Sequence, residues 1–497
     1  MSERLRARDL AFLMGEDLAT PRHTTTVDIL DPGSSGFDHD RFVALVRDRI
    51  AFVPRFRQRV QGVPGGLANP VWVDDVGFDL GYHVRRSALP RPGSRDQLRE
   101  LVARIVSRPL DRSRPLWEIY FVEGLEGGQV AVLLKCHQAL VDGIDTVDLG
   151  QVLLDGLPGS TGSDPAGGAD DVDPWRPRRR SPVGLLTEAL RDTVTDPQTL
   201  IGTVSSTSGR VALTAESAGR RARGVVGALT GRRPVRPTVL EGPLSQQRRV
   251  VTLDTRLSDY RLVRDAHGGT VNDVILAAIA GGLRAWLMTR GEALPTTRHV
   301  RAVVPVSVID EDLEATSLGS QISVHEVDLP VGEVSPVVRL HQVSYSFAAH
   351  HATGKSVAAD RLAGIAGFAP TTFHAVGARV AAQEVRRGFA LCVTNAPGPQ
   401  SPVYAAGARL VASYPVPPLL PEQRLAIAVT SYDGGVTYGI TADRDAIPDA
   451  DVLGSCVLEA LQELVDASGD ARPRAARGRR ARTPGTTSPT GTTEQED

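Results

Sequence analysis

The sequence contains few cysteines and few lysines. Only three cysteines occur among the 497 residues, Cys136, Cys392 and Cys456, and no two of them form a CxxC pair. Neither a disulfide framework nor a cysteine-based zinc site is therefore expected. Lysine occurs only at Lys135 and Lys355, and arginine supplies the other positive charges. We attach no functional meaning to that bias.

Net charge and long apolar runs are also lacking. The 56 lysines and arginines nearly balance 58 acidic residues, giving a formal charge of -2, whereas nucleic-acid binding usually needs a strongly basic surface. No apolar run reaches the roughly 18 residues of a transmembrane helix. The first residues, MSERLRARDLAFLMGEDL, carry charges where a signal peptide needs an apolar stretch. We therefore expect a cytoplasmic protein without a nucleic-acid partner.

The length predicts two or three domains of about 100–200 residues each. Helix-like and strand-like segments alternate along much of the chain, which favours an α/β (α+β) fold. We expect an N-terminal half, a linker with a helical connection, a C-terminal half and a disordered tail, at residues 1–155, 156–247, 248–466 and 467–497.

Hydrophobic periodicity predicts individual elements. Apolar residues at helical spacing predict helices at Phe42–Ile50, Gln97–Val106, Val271–Met288 and Val452–Val465, with a further helix beginning near Thr146. Runs rich in β-branched residues predict strands at Gln129–His137, Arg249–Leu253, Arg301–Val308, Leu425–Tyr432 and Val436–Thr441. An Asp-Gly turn should join the last two strands as a hairpin.

Residues 183–235 have a helical but weakly apolar pattern with several arginines. A basic amphipathic surface resting on anionic lipid would have this composition. A solvated connection between domains would have it as well. We favour the connection, because Gly, Ser and Thr interrupt the apolar face.

The segment Lys135-Cys-His-Gln-Ala-Leu-Val-Asp-Gly143 has the residues for acid–base chemistry. A histidine that leaves a buried strand can accept a proton near neutral pH. Asp142 can fix the following turn by binding backbone or an arginine, and Gly143 permits close approach. Taken alone the pattern is weak, because a single histidine at a strand end is more often structural.

Several further segments occur in a fixed order along the chain. They are Asp9-Leu-Ala-Phe-Leu, Arg108-Pro-Leu-Asp-Arg-Ser-Arg-Pro-Leu-Trp-Glu118, Thr270-Val-Asn-Asp-Val-Ile-Leu-Ala277, Val304-Pro-Val-Ser307, Thr394-Asn-Ala-Pro-Gly-Pro399 and Ser431-Tyr-Asp-Gly434. Together with the segment that ends at Gly143, which is similar to an HHxxxDG motif, they resemble the bacterial wax ester synthase/diacylglycerol acyltransferase family. The resemblance covers roughly residues 9–465.

The resemblance implies two chloramphenicol-acetyltransferase-like domains with an active-site channel between them. It implies acyl-CoA as a substrate rather than a bound cofactor, diacylglycerol or a long-chain alcohol as acceptor, and no metal. In the family the second histidine of HHxxxDG removes the hydroxyl proton as the alcohol attacks the thioester, without a covalent acyl-enzyme. The aspartate is mainly structural.

This chain departs from the family pattern at the catalytic base. Aligning Asp142-Gly143 puts the first histidine at His137 and Gln138 at the second. A glutamine amide cannot take a proton at any useful pH, and the loss of a positioned base removes about 10²–10⁴-fold in rate. Since neighbouring strand residues point to opposite faces, His137 should face away from Gln138. The motif alignment nevertheless makes His137, Gln138, Asp142 and Gly143 the predicted catalytic positions, with Gln138 at the position of the family's general base.

Other residues of the family segments are candidates for substrate binding. Asn272 is either a helix cap or an interdomain tie, and Asp273 should lie in the first turn of its helix. Asn395 opens a turn in which Pro397 and Gly398 set the backbone, in a region that borders the channel in relatives. A second departure is Ser320, where the family usually has asparagine. His350-His351 lacks the rest of the motif and should be a polar helix or loop.

Two functions follow from the resemblance. The first is O-acyl transfer from acyl-CoA to diacylglycerol, in triacylglycerol synthesis, with long-chain alcohols as further acceptors. The second is a catalytically impaired paralogue that binds acyl-CoA or lipid, which Gln138 motivates. A specialised acyltransferase associated with polyketide synthesis is a third possibility, although no carrier-protein domain is present. Lipid-soluble substrates would place the protein peripherally on the inner membrane face or on lipid droplets.

Overall fold

The computed structural model describes residues 4–5, 7–64, 68–140, 239–307, 322–351 and 389–469, with isolated positions at 150, 153–154, 177, 374–375, 377–378 and 381–382. The predicted helix near Thr146, most of the predicted connection and nearly all of the predicted tail lie outside these residues. Asp142 and Gly143 lie outside them as well.

The first sheet has six strands in the order β11-β12-β1-β6-β5-β4. Its strands are β1 (His23–Asp31), β4 (Val84–Ala88), β5 (Trp117–Glu123), β6 (Val130–His137), β11 (Tyr404–Ala405) and β12 (Ala408–Val416). All neighbours are antiparallel except β4 and β5. The strands β2 (Gln58–Gln61) and β3 (Val71–Asp74) form a separate antiparallel pair. Two strands of this sheet therefore come from the last fifth of the chain.

The second sheet also has six strands, in the order β7-β14-β13-β10-β8-β9. They are β7 (Arg248–Arg256), β8 (Val300–Ser307), β9 (Ile322–Leu329), β10 (Leu391–Ala396), β13 (Leu425–Tyr432) and β14 (Gly435–Asp443). The central strand β10 runs parallel to both β8 and β13, and the other pairs are antiparallel. The carboxyl ends of three parallel strands thus meet at one edge.

Helices cover the two sheets. In chain order they are α1 (Ala7–Met14), α2 (His39–Ile50), α3 (Leu80–His83), α4 (Arg95–Val106), α5 (Leu257–His267), α6 (Val271–Thr289), α7 (Pro336–His351) and α8 (Ala450–Gly469). Short 3₁₀ turns occur at Pro54–Arg57 and Glu126–Gly128. The α/β (α+β) expectation is confirmed, and the helices and strands predicted within the described residues are all present. The helix α8 continues to Gly469, into the predicted tail, and α7 carries His350 and His351.

Within the described residues, one helix is long and apolar enough to cross a membrane by length and composition. This helix, α6, is the central helix of the second half, and 72% of its apolar window is buried. Its residues Val274, Ile279 and Leu283 belong to the main hydrophobic core. Burial of this kind is what a core helix of a globular domain shows.

The second sheet has one face of large residues and one face of small residues. Large side chains such as Ile427, Val429 and Tyr438 pack into the core with α6 and α8. The opposite face of β13 and β14 is lined by Ala426, Ala428, Thr430, Thr437, Gly439 and Thr441, which the strand register places side by side. This small-residue face leaves room for another backbone to lie directly upon it.

The strand β12 occupies that face. A Cβ atom added at Gly439 would lie 1.5 Å from the Pro415 carbonyl oxygen, and the Thr437 hydroxyl donates to the Ser413 carbonyl at 2.6 Å. Tyr414 donates from its hydroxyl to Asp254 at 2.7 Å. Because β12 also pairs with β1, this one strand connects the two sheets.

We expect Gly439→Ala to destabilise the fold, because the added methyl group meets backbone atoms of β12 that cannot rotate away. Overpacking of this kind costs about 1–3 kcal/mol, and thermal denaturation should show a lowered Tm. The matched control is Gly62→Ala, where an added Cβ has no atom within 4 Å and little change is expected. An unchanged Tm in Gly439→Ala would contradict the close crossing of β12 and β14.

Candidate active site

The strand β6 ends at His137, and the chain then turns. The carbonyl oxygen of His137 accepts from the Leu140 N–H at 2.9 Å, and the Gln138 N–H donates to the Arg22 carbonyl at 2.9 Å. His137 pairs with His23 across the sheet. Both His137 and Gln138 have no exposed surface. The first two of the predicted catalytic positions therefore lie inside the protein, at the end of a central strand.

One ring nitrogen of His137 is hydrogen-bonded, and the other faces a carboxylate. The Ala139 N–H donates to Nδ1 at 3.0 Å, so Nδ1 is an acceptor and, in the neutral ring, Nε2 carries the proton. Nε2 lies 3.6 Å from the Glu16 Oε2 atom. Burial lowers the pKa of His137, which keeps the ring neutral. In this arrangement the imidazole has no lone pair that faces a substrate.

Glu16 binds three separate parts of the first half. Its Oε2 accepts from Arg112, from Nη2 at 2.7 Å and from Nε at 3.1 Å. Its Oε1 accepts from the Arg22 N–H at 2.9 Å. Burial by itself would raise the pKa of Glu16, but its contacts with His137, with the Arg22 N–H and with Arg112 outweigh burial and hold this pKa at about 2. The carboxylate is therefore ionised and ties the N-terminal segment to the end of β6.

Lys135 lies on the same face of β6 as His137, two residues earlier. Its ammonium group donates to the carbonyl oxygens of Ile105 at 3.1 Å and Arg108 at 2.5 Å, and the Glu118 carboxylate is 3.9 Å away. Burial lowers the pKa of Lys135 to about 8. A cation bound to the last carbonyls of a helix stabilises that helix end. This lysine therefore fixes the end of α4 against β6, which is a structural role.

Gln138 lies opposite Arg22 where the ladder of β1 and β6 would continue. Gln138 is the first residue of the turn after β6, so the predicted orientation of its side chain opposite His137 stays a prediction. The roles of His137, Gln138, Asp142 and Gly143 stay predictions. What the structure adds is that His137 is hydrogen-bonded at Nδ1 and faces the Glu16 carboxylate with Nε2.

A second group of predicted residues lies at the carboxyl end of β10. The Asn395 amide nitrogen donates to the Asn272 amide oxygen at 3.0 Å. Both side chains are half-buried. Asn272 therefore ties the start of α6 to β10, while the cap of that helix is Thr270, whose hydroxyl accepts from the Asp273 N–H. Asn272 is therefore not the cap of α6.

Asp273 lies in the first turn of α6, as predicted, and is committed to local contacts. Its Oδ2 accepts from the Thr270 N–H at 2.9 Å, which completes a capping box. The same oxygen accepts from the Ser344 hydroxyl on α7 at 2.9 Å. These contacts indicate that Asp273 orders the helix start. A direct role in substrate binding stays a prediction without further support.

Pro397 and Gly398 follow β10 in a segment fixed to the last hairpin. The Gly398 N–H donates to the Ser431 hydroxyl at 3.2 Å. The hairpin turn has positive φ at both Asp433 and Gly434, as a two-residue turn with the twist of the strands requires. The chain beyond Asn395 is thus held in place from the side of β13.

Sequence reasoning missed Glu16 as a site residue. It lies two residues beyond α1, just after the segment Asp9-Leu-Ala-Phe-Leu and outside every motif of the sequence analysis. Arg112 was within a recognised segment, and a charged residue there was a signal that could have been followed. No group of three or more metal-ligating side chains occurs among the residues that the structure describes.

Two mixed sheets joined by an exchanged strand, with a histidine at the end of a central strand of the first sheet, define a two-domain acyltransferase-like fold. The first condensation domain of the calcium-dependent antibiotic synthetase has this fold, with a TM-score of 0.52 and 16% identity over 95% of this chain and 97% of that one. The wax ester synthase/diacylglycerol acyltransferase from Marinobacter aquaeolei VT8 has a TM-score of 0.64 and 24% identity over 94% of this chain and 100% of that one.

Sequence comparison identifies the family. The catalytic domain of wax ester synthase/diacylglycerol acyltransferase matches residues 5–275, and the C-terminal domain of the same family matches residues 318–465. A Mycobacterium tuberculosis protein named a probable diacylglycerol O-acyltransferase is 33% identical over 86% of this chain and 88% of its own length. A second one is 40% identical over 53% of this chain and 96% of its own length. The chain belongs to the wax ester synthase/diacylglycerol acyltransferase family.

We expect Glu16→Gln to destabilise the protein at neutral pH by about 3 kcal/mol, the scale for breaking a buried ion pair. Because the pKa of Glu16 is about 2 when folded and ordinarily 4.5, its contribution is complete above pH 4.5 and is lost as the pH falls from 4.5 towards 2. Chemical denaturation at several pH values should show the wild type and the variant converging below pH 4.5.

The control for this experiment is Glu123→Gln. Glu123 pairs with Arg86, which is largely exposed, and such surface pairs contribute little to stability. The interpretation of Glu16 would be wrong if the difference between wild type and Glu16→Gln were the same at pH 7 and pH 3.

Proposed function

We propose that this protein is an acyl-CoA-dependent O-acyltransferase that transfers a fatty acyl group to diacylglycerol, forming triacylglycerol. The observation that carries the proposal is its membership of a family whose relatives are named diacylglycerol O-acyltransferases. Long-chain alcohols are a further class of acceptor, which the wax ester synthase part of the family name supports. Acyl-CoA is a substrate in this proposal, and no bound cofactor is required.

The reaction proposed is a direct attack. The oxygen of the acceptor hydroxyl forms a bond to the thioester carbonyl carbon, the carbon–sulfur bond breaks, and the hydroxyl proton ends on CoA as the thiol. A base that takes the proton early lowers the barrier. His137 is not placed to do so, because its Nδ1 accepts from Ala139 and its Nε2 faces Glu16.

With Gln138 at the position of the base, we expect a slower version of this reaction. Its amide oxygen can accept a hydrogen bond from the acceptor hydroxyl and hold it for attack, but it cannot remove the proton. Positioning alone still accelerates a reaction between two bound substrates. We therefore expect turnover below that of a homologous site with histidine at this position.

The alternative function is a catalytically impaired member of the family that binds acyl-CoA or lipid. Gln138 is the specific observation in its favour. This alternative predicts that acyl-CoA binds but that no CoA is released. The first proposal predicts release of CoA, so a turnover assay separates the two.

We also propose that the protein works at the surface of the inner membrane or of lipid droplets, from the cytoplasmic side. The support for this proposal is the chemistry of the acceptor, since diacylglycerol partitions into lipid. Sedimentation with liposomes that contain dioleoylglycerol would test it independently of turnover.

We expect Gln138→His to raise the rate of triacylglycerol formation by about 10²–10⁴-fold, the usual contribution of a positioned general base. The measurement is release of CoA from palmitoyl-CoA with dioleoylglycerol, with triacylglycerol identified as the product to exclude thioesterase activity. A wild type that is silent beside an active Gln138→His would favour the binding function.

His137→Ala completes the experiment. The contacts of His137 lead us to expect a lowered Tm in this variant. If the wild type turned over and His137→Ala stayed fully folded but did not, His137 would be the base and our assignment would be wrong. If neither the wild type nor either variant formed triacylglycerol, diacylglycerol would be excluded as the acceptor.

A further inference from the structure

The side chains of Asn272 and Asn395 form an amide pair at the carboxyl end of β10, in the second sheet. One hydrogen bond of 3.0 Å joins them, and among the residues that the structure describes no other hydrogen bond of either side chain is found. Each is half-buried rather than enclosed. The pair therefore presents unused polar atoms beside an accessible surface.

The unused atoms are a donor and an acceptor. After the bond is made, Asn395 keeps its Oδ1 acceptor and Asn272 keeps its amide N–H donors. If the two amides were flipped together, the roles of the residues would exchange, but the pair would still offer one side-chain acceptor beside one donor. The pattern does not depend on which way the amides are assigned.

A secondary amide has both of the groups that can bond to this pair, a donor and an acceptor. It supplies an N–H donor and a C=O acceptor on adjacent atoms, whereas an ester supplies acceptors only and would leave the asparagine oxygen unpaired. An unpaired buried polar atom is unfavourable. A hydroxyl group can also both donate and accept, and binding of a ligand that has a hydroxyl but no amide separates the two.

The pair lies where ligands usually bind in such sheets. Asn395 is at the carboxyl end of β10, between the parallel strands β8 and β13, and the crevice outside the carboxyl ends of parallel strands is the general binding position. Contacts on both sides hold the pair rigidly. The capping box of Thr270 and Asp273 fixes the start of α6, and Ser431 fixes the chain after Asn395.

We propose that Asn272 and Asn395 together bind a secondary amide of the thioester substrate, in the pantetheine arm of acyl-CoA. The identification of acyl-CoA as the ligand rests on the proposed function, and the proposal names the part of that substrate which this pair recognises. The pair would thus distinguish the acyl donor from the acceptor, since diacylglycerol has no amide.

The test measures binding rather than turnover. S-hexadecyl-CoA, a thioether that cannot transfer its chain, is titrated by calorimetry into the wild type, Asn395→Leu and Asn272→Ser. The loss of one neutral hydrogen bond should raise Kd about tenfold in each variant. With 2-(hexadecylthio)ethanol, which has the same chain and thioether but no amide, the three proteins should have equal Kd values.

Gln462→Leu is the matched control, because it removes an amide that bonds only the neighbouring Asp466 on the surface of α8. Its affinity for both ligands should equal that of the wild type. Thermal denaturation checks that each variant is folded. If Asn395→Leu does not fold, the Kd of Asn272→Ser alone tests the proposal.

Two results would overturn the proposal. An unchanged Kd for S-hexadecyl-CoA in both variants would show that the pair does not contact this ligand, and an equal loss for both ligands would show a general change in the site. The proposed function fails differently. Wild type that binds S-hexadecyl-CoA but releases no CoA from palmitoyl-CoA contradicts acyl transfer and leaves the amide-binding result standing.

Discussion

The contact on which the rest of the structure depends is the direct packing of β12 on the small-residue face of β13 and β14. No side chain separates the backbones at Gly439 and Pro415, where a single added carbon would lie 1.5 Å from a carbonyl oxygen. Interiors packed this closely transmit displacement. Since β12 pairs with β1 and β1 pairs with β6, a shift of the second sheet reaches the strand that carries His137. The two halves are therefore coupled by the packing of β12 on β13 and β14 and by the pairing of β12, β1 and β6 within the first sheet.

At the end of β6, near His137, charged contacts rather than apolar packing hold the segments together. Glu16 accepts hydrogen bonds from Arg112 and from the backbone of Arg22, and it faces the ring of His137. A buried carboxylate is unfavourable unless donors surround it, and here the donors come from segments far apart in the sequence. The same contacts that satisfy Glu16 also fix the tautomer of His137 and hold the turn after β6. Stability and the position of the candidate site are thus parts of one arrangement.

Local patterns in the sequence predict much of the fold and less of the site. The strand Leu425–Tyr432 has its predicted bounds, and the hairpin after it follows from the Asp-Gly turn. The periodicity of Val271–Met288 predicts α6 almost to the residue. These features are determined by neighbours along the chain. The placement of β12 in the first sheet is not, because pairing between distant strands depends on which faces become available when both halves fold. For the same reason nothing local in the segment around Glu16 indicates that it meets His137.

The bound state of His137 also bears on how much the substitution at position 138 changes. If His137 were free, its contacts could adjust to any neighbour, and replacing Gln138 would alter both residues. Instead Ala139 and Glu16 fix His137, and Arg22 fixes the backbone of Gln138. The hydrogen bond to Arg22 holds the backbone at position 138, so a histidine there would be carried by the same backbone. A difference in rate between the two residues would then report the chemistry of the side chain rather than a rearrangement of the site.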